Sequence, residues 1–306
     1  MSAKSGIFVL FLVVPQAAAA QSLGMWVWSP TAYSTREARH ELIRFCVEHR
    51  IDRLDVHVRV GWSGGVPALE DAEAVEDLVS QARRRRISTT AVRGSPRMFL
   101  ARNGERTLAE LRAIIAFNRA LPTGRSLKGV TYDVEPYLAD EWKAGAASRR
   151  AVMLEYLDAL RKARSLLRAQ APGLRLAVDI PFWWDRDDLR IGFRGREKRF
   201  SEHVQDATDY VVLMSYRRQP GQVLATAENE MRYARRTNKV VFLALETNPL
   251  LRDGDISFSG LPPRAFWNVV TPLLEVARTD GAIGGLMIHS YRGLQVLASR
   301  ERNAAE

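Results

Sequence analysis

Two carboxylates separated by one residue, Asp133 and Glu135, follow the apolar run Gly129-Val130-Thr131-Tyr132, and Pro136 stops the extended chain directly after them. A strand repeats every two residues, so both side chains turn to one face. Crowding of like charges favours the protonated form of one acid. Such a pair can offer a proton donor beside a charge stabiliser or nucleophile, which is the equipment needed to protonate a glycosidic oxygen and support the sugar cation that follows. The competing reading is structural, an ion pair of these acids with Arg59 or Arg93.

Other residues of chemical interest also end apolar runs. Glu246 closes Leu243-Ala244-Leu245 and is the second candidate carboxylate, as nucleophile or stabiliser, with a structural alternative as partner of Arg292 or Arg217. Asp179, His57, Arg59 and His289 take similar positions and are candidates for orienting a ligand. Trp28, Tyr137, Trp183, Trp184 and Tyr216 lie at or just beyond run ends, where flat rings can stack on the apolar faces of sugars at low entropic cost. A metal-dependent hydrolase would draw on Asp55, His57 and His289. With five histidines in the chain, three of them in helical stretches, no metal or other cofactor is expected.

The elements that must position these residues alternate regularly. Strand-like runs at Leu23–Trp28, Ile51–Val60, Ile87–Val92, Gly129–Tyr137, Leu174–Ile180, Asp209–Ser215, Val240–Leu245 and Ala282–His289 are separated by helical patterns. Among these are a helix entered through the capping box Ser34-Thr-Arg-Glu37, one over Leu69–Arg86, and one over Leu108–Leu121 capped by Thr107 and Glu110. The segment after Ile180 reads as a long loop of about twenty residues, a length that favours a functional role. Eight strand-helix alternations without a glycine-rich phosphate turn predict an α/β chain folded as a (β/α)8 TIM barrel, a single domain with its site at the C-terminal strand ends.

Residues 1–20 read as a signal peptide: Lys4, an apolar run Ile7–Val14 and Ala18-Ala19-Ala20 before Gln21. The run is short of the roughly 20 apolar residues a spanning helix needs. The mature protein, 21–306, is therefore expected in the periplasm or outside the cell, with no membrane contact once the signal is cleaved. Cys46, the one cysteine, leaves stability to core packing and reads as a small buried hydrophobe. The net charge of +10 could draw an acidic polysaccharide, but basic runs such as Arg83–Arg86 suit helix ends, and nucleic acid is not expected as a partner. Oligomeric state is not encoded in any pattern of the chain.

Taken together, Tyr132-Asp-Val-Glu-Pro136, Met214-Ser-Tyr-Arg217, Glu246-Thr247 and Ile288-His-Ser-Tyr291 resemble the pattern of secreted glycoside-hydrolase-like barrels. The family 18 chitinases are similar at Asp133, Glu135, Met214 and Tyr216, although Thr131 and Arg217 stand where that family carries acids. That resemblance implies Glu135 as the acid, with Asp133 and Tyr216 assisting a substrate acetamido group. The retaining clan with Glu on strands four and seven is similar at Glu135-Pro136 and Glu246, with Val134 in place of its Asn. The expectation is an exported enzyme cleaving a glycosidic bond, with Glu135 as general acid/base. The alternative is a carbohydrate-binding barrel that has lost the chemistry.

Overall fold

A computed structural model of the protein describes residues 22–122, 125–250 and 256–303, with side chains to residue 300. The segment read as a signal peptide lies outside the described residues. Eight parallel strands close into a barrel: β1 (Ser22–Val27), β2 (Arg53–His57), β5 (Ser88–Arg93), β6 (Gly129–Tyr132), β7 (Arg175–Pro181), β10 (Tyr210–Met214), β11 (Val240–Glu246) and β12 (Ile283–His289), with β12 pairing back onto β1. The strands follow one another around the wall in chain order, as short right-handed crossovers require. The helices of the outer layer are α1 (Arg36–Glu48), α2 (Ala72–Arg84), α3 (Gly104–Ala120), α4 (Asp140–Lys143), α5 (Ala146–Gln170), α6 (Phe200–Ala207), α7 (Pro220–Thr226), α8 (Glu228–Thr237), α9 (Pro263–Thr279) and α10 (Tyr291–Asn303).

Two hairpins are added. The Gly-rich segment after β2 forms β3 (Val60–Ser63) paired with β4 (Val66–Leu69), turning at Gly64 and Gly65, both at positive φ. This strand pair occupies residues expected to start a helix, so α2 begins at Ala72. The expected long loop after β7 holds two 3-10 turns and the hairpin β8 (Arg190–Phe193) with β9 (Arg196–Arg199). Two caps also differ: Thr35, not Ser34, caps α1 by accepting from Ala38 N, and α3 starts at Gly104, leaving Thr107 inside the helix.

Strand parity separates two apolar layers. Leu23, Met25 and Val27 of β1 face the helices, as do Leu54 and Val56, Val130 and Tyr132, and Val178 and Ile180, in the main core between sheet and helix ring. The opposite parity fills the barrel with Trp26, Val92, Ala177, Tyr210, Val212, Phe242, Ala244 and Met287. Gly24 faces inward as well, where an added Cβ would fall 2.2 Å from Met287 Sδ. At the lower level of the barrel, Arg53 donates to both oxygens of Asp55 (2.8 and 3.0 Å) and to the Tyr210 hydroxyl (2.7 Å), while the Thr131 hydroxyl donates to Asp55 (2.9 Å). The Arg53 guanidinium also lies over the rings of Tyr210 and Phe242, 4.7 Å from each centroid. A buried charge persists only when it is paired and hydrogen-bonded, and Arg53 and Asp55 supply each other with both. Among the described residues, no helix is long and apolar enough to cross a membrane. Cys46 is buried on α1, and burial pushes its thiol up to about 12.

Candidate active site

The paired part of β6 stops at Tyr132, and the ladder runs one residue further through Asp133 N to Arg93 O at 2.8 Å. The chain then turns at Glu135, whose carbonyl accepts from Leu138 N. This bend lifts Glu135 to the rim while Asp133 stays half-buried in the mouth. The Tyr137 hydroxyl donates to Glu135 Oε1, and Glu135 Oε2 has no hydrogen-bond partner among the described residues. Burial and the adjacent Glu135 charge push the Asp133 carboxyl up to about 7, against a smaller opposing pull from His289. At neutral pH a sizeable share of the Asp133 carboxyls therefore carries a proton.

Around them stand the inward groups of the neighbouring strands. Asp179, on β7, is 1% exposed, and its Oδ2 accepts from the Trp26 indole N–H across the barrel at 3.1 Å. Burial, followed by the charges of Asp133 and Asp55, raises its carboxyl well above the ordinary range. Tyr216, just past β10, stacks on His289 with ring centroids 6.1 Å apart and 19° between planes. Trp26 and Trp28 meet the same imidazole edge-on at 5.6 and 6.0 Å. His57 lies beside Trp28 (6.2 Å), and burial with the nearby Arg93 and Arg59 charges lowers its pKa. Tyr137 packs edge-on against Trp183 at 5.1 Å. Trp183 in turn borders a surface groove of about 760 Å³ with Trp142, Arg149, Phe182 and Asp185.

Three expectations need correction. Glu246 is 2% exposed and both of its oxygens are occupied: Oε1 by Asn248 N (2.7 Å) and Nδ2 (2.9 Å), Oε2 by His289 Nδ1 (2.6 Å). It is held as a partner of His289, so neither a free nucleophile nor a counter-ion of Arg292 or Arg217 describes it. Arg59 is 48% exposed and forks onto Asp71 near the β3–β4 hairpin, away from the acids. Trp184 is completely buried against Tyr156 and Phe200 in the helix layer, because neighbouring residues of a 3-10 turn point different ways, and it cannot touch a ligand.

The ion pair proposed for the acids is absent too. Arg93 has the parity opposite to Val92 and reaches Glu110 of α3 at 2.6 Å. Asp55, the acid of the metal reading, is saturated by Arg53 and Thr131, and among the described residues no three His, Cys, Asp or Glu side chains are grouped to hold a metal ion. Asn248 is the participant that motif reading missed. It binds Glu246, the His289 carbonyl (3.0 Å) and the Ser290 hydroxyl, and the signal for it was its place two residues after a strand-end acid.

No protein-family model and no curated protein sequence matches the chain. Solved structures do match. A chitinase from Bacteroides thetaiotaomicron is similar with a TM-score of 0.54 at 15% identity, over 89% of this chain and 90% of that one. A chitinase from Chromobacterium violaceum ATCC 12472 gives 0.51 at 12%, over 89% and 94%. The endo-beta-1,4-mannanase of Thermotoga petrophila gives 0.59 at 10%, over 90% and 68%. The chain is thus a distant structural match to TIM-barrel glycoside hydrolases, and at these identities the likeness speaks for the fold.

Proposed function

We propose that the protein is an exported glycoside hydrolase, cleaving a glycosidic bond in a poly- or oligosaccharide with Glu135 as general acid/base. The observation that carries this reading is the Asp133–Glu135 pair at the barrel mouth, two carboxyls in electrostatic contact, with Glu135 Oε1 steadied by Tyr137 and Oε2 left open. Asp133, not Glu246, is then the working partner of Glu135, since Glu246 is committed to His289. Tyr216, Trp28 and His289 supply a rigid aromatic wall on which a sugar ring can lie. This arrangement is nearer to the chitinase-like pattern than to the pattern of two opposed glutamates.

Of the cations near the mouth, Arg53, Arg59 and Arg93 are spent on Asp55, Asp71 and Glu110, while Arg217 lies over the Phe182 ring and Arg149 borders the Trp183 groove. Incubation with chitin and mannan oligosaccharides, followed by reducing-end release, tests the reading. Glu135→Gln should lose about 10²–10⁴-fold in kcat with KM little changed; wild-type activity in that variant would sink it. Glycan binding without turnover by the wild type would favour instead a carbohydrate-binding barrel, a reading to which the occupied Glu246 lends some weight.

A further inference from the structure

Asp179 has no role in the chemistry above, yet its surroundings are specific. Tyr132 pairs with Val178, so Asp133 and Asp179 are the next residues along adjacent parallel strands, level with each other and both inward. Adjacent strands lie about 4.8 Å apart. Asp179 Oδ2 is taken by the Trp26 N–H, whereas Oδ1 is buried and lacks any partner. No cation hydrogen-bonds this carboxyl: Arg53, the basic group beneath it, bonds Asp55 and Tyr210, and its charge is the smallest of the influences on Asp179. The other groups that sense its charge are Asp133, Asp55, Tyr156 of α5 and Tyr216, all acidic or neutral.

A buried carboxylate facing two acids and two phenols, with only the weaker opposing pull of Arg53, is costly, and the neutral acid is the form such a site favours. Its O–H must sit on Oδ1, because Oδ2 accepts from Trp26. Of the two nearby acids, Asp55 already receives three hydrogen bonds, while the Asp133 carboxyl receives none among the described residues.

We infer that Asp179 is a permanently protonated positioning residue whose Oδ1–H donates to Asp133 and so fixes the orientation of the acid next to Glu135. One clause of this rests on the glycosidase reading: that misplacing Asp133 slows bond cleavage. The protonation itself does not depend on that reading.

The wild-type protein labelled with 13C at aspartate Cγ reads the protonation directly. One carboxyl carbon should keep the shift of a neutral acid from pH 5 to 9, and it should be the signal missing from Asp179→Asn. If every aspartate carbon reports an ionised carboxylate at pH 9, the inference is overturned. In Asp133→Asn the Asp179 signal should stay neutral but move, because its acceptor has changed; an unmoved signal would overturn the contact.

On the reading above, Asp179→Asn should keep kcat close to wild type, since an amide can accept from Trp26 and donate to Asp133 as the neutral acid does. Asp179→Leu should lose about 100-fold in kcat with KM unchanged. Equal losses in both variants would overturn the positioning role. Should no glycan be turned over at all, the labelled spectra still decide the protonation.

Discussion

Nδ1 of His289 lies 2.6 Å from Oε2 of Glu246, and this contact joins the last two strands of the barrel at their C-terminal ends. Glu246 is sealed from solvent at 2% exposure, whereas the histidine side chain is 29% exposed. The carboxylate fixes the proton on Nδ1 and presents Nε2 to the mouth, because the partner of one ring nitrogen sets the tautomer of the other. Replacing Glu246 by Gln should lower kcat about 10- to 100-fold with little change in KM. It should also cost about 1–3 kcal/mol of stability, measured by urea unfolding, because the Asn248 and His289 donors lose a charged acceptor.

Tyr137 anchors one oxygen of Glu135. In Tyr137→Phe that anchor is gone while the ring still packs on Trp183, so the melting temperature should hold within the scatter of surface variants. kcat should fall about 10-fold, since a mobile acid spends less time in reach of a glycosidic oxygen. Parallel loss of folded signal and activity would mean that Tyr137 serves only the packing.

Gly94 lets β5 and β6 approach closely: a Cβ there would lie 1.9 Å from the Asp133 carbonyl oxygen and 2.8 Å from its carbon. Backbone cannot yield as a side-chain tip can. Gly94→Ala should therefore displace Asp133 and Glu135 together and abolish activity out of proportion to its stability cost, expected at about 1–3 kcal/mol. Activity equal to wild type in a folded Gly94→Ala protein would refute the claim that this contact sets the acids.

Glu230, on α8, is fully buried, and burial together with the Asp185 charge pushes its carboxyl up to about 8. The sign follows from linkage. The folded state holds this proton more tightly than the unfolded chain, so the stabilisation is complete below about pH 4.5 and is lost as pH rises through about 8. Within that window Glu230 should remove up to about 1.4 kcal/mol of stability per pH unit. Asp133, pushed up to about 7, adds a slope of the same sign. Denaturant titrations from pH 4 to 9 should show the slope flattened in Glu230→Gln; an unchanged slope would place the ionised form in the fold.

The barrel was legible because buried parallel strands read as near-continuous apolar runs, as at Val240–Leu245, and because eight such runs alternate with helical patterns. The hairpins were not. Val66-Pro-Ala-Leu69 lacks alternation, and Arg196-Glu-Lys-Arg199 is wholly charged, so neither signals a strand until its partner is known. At the mouth, residue type marked Asp133, Glu135, Tyr216 and His289 well enough, but pairing depends on which strands are neighbours. Strands seven and eight are adjacent in any such barrel, so the Glu246–His289 contact was available from topology. Parity would also have sent Arg93 outward, one residue out of step with Val92. Nothing local distinguishes Trp183 at the groove from Trp184 in the core, since only the turn geometry separates them.

The inward layer of Arg53, Asp55, Thr131 and Tyr210, roofed by Trp26 on Asp179, makes the barrel a blind well. Nothing can thread it, and the polar plug is too fully bonded to give way. A chain-like ligand of the kind proposed above would therefore cross the rim sideways. On that proposal its units would rest on the loops, and Trp28, Tyr137 and the Trp183 groove would set the length of chain recognised, parts that can diverge while the well beneath them stays the same.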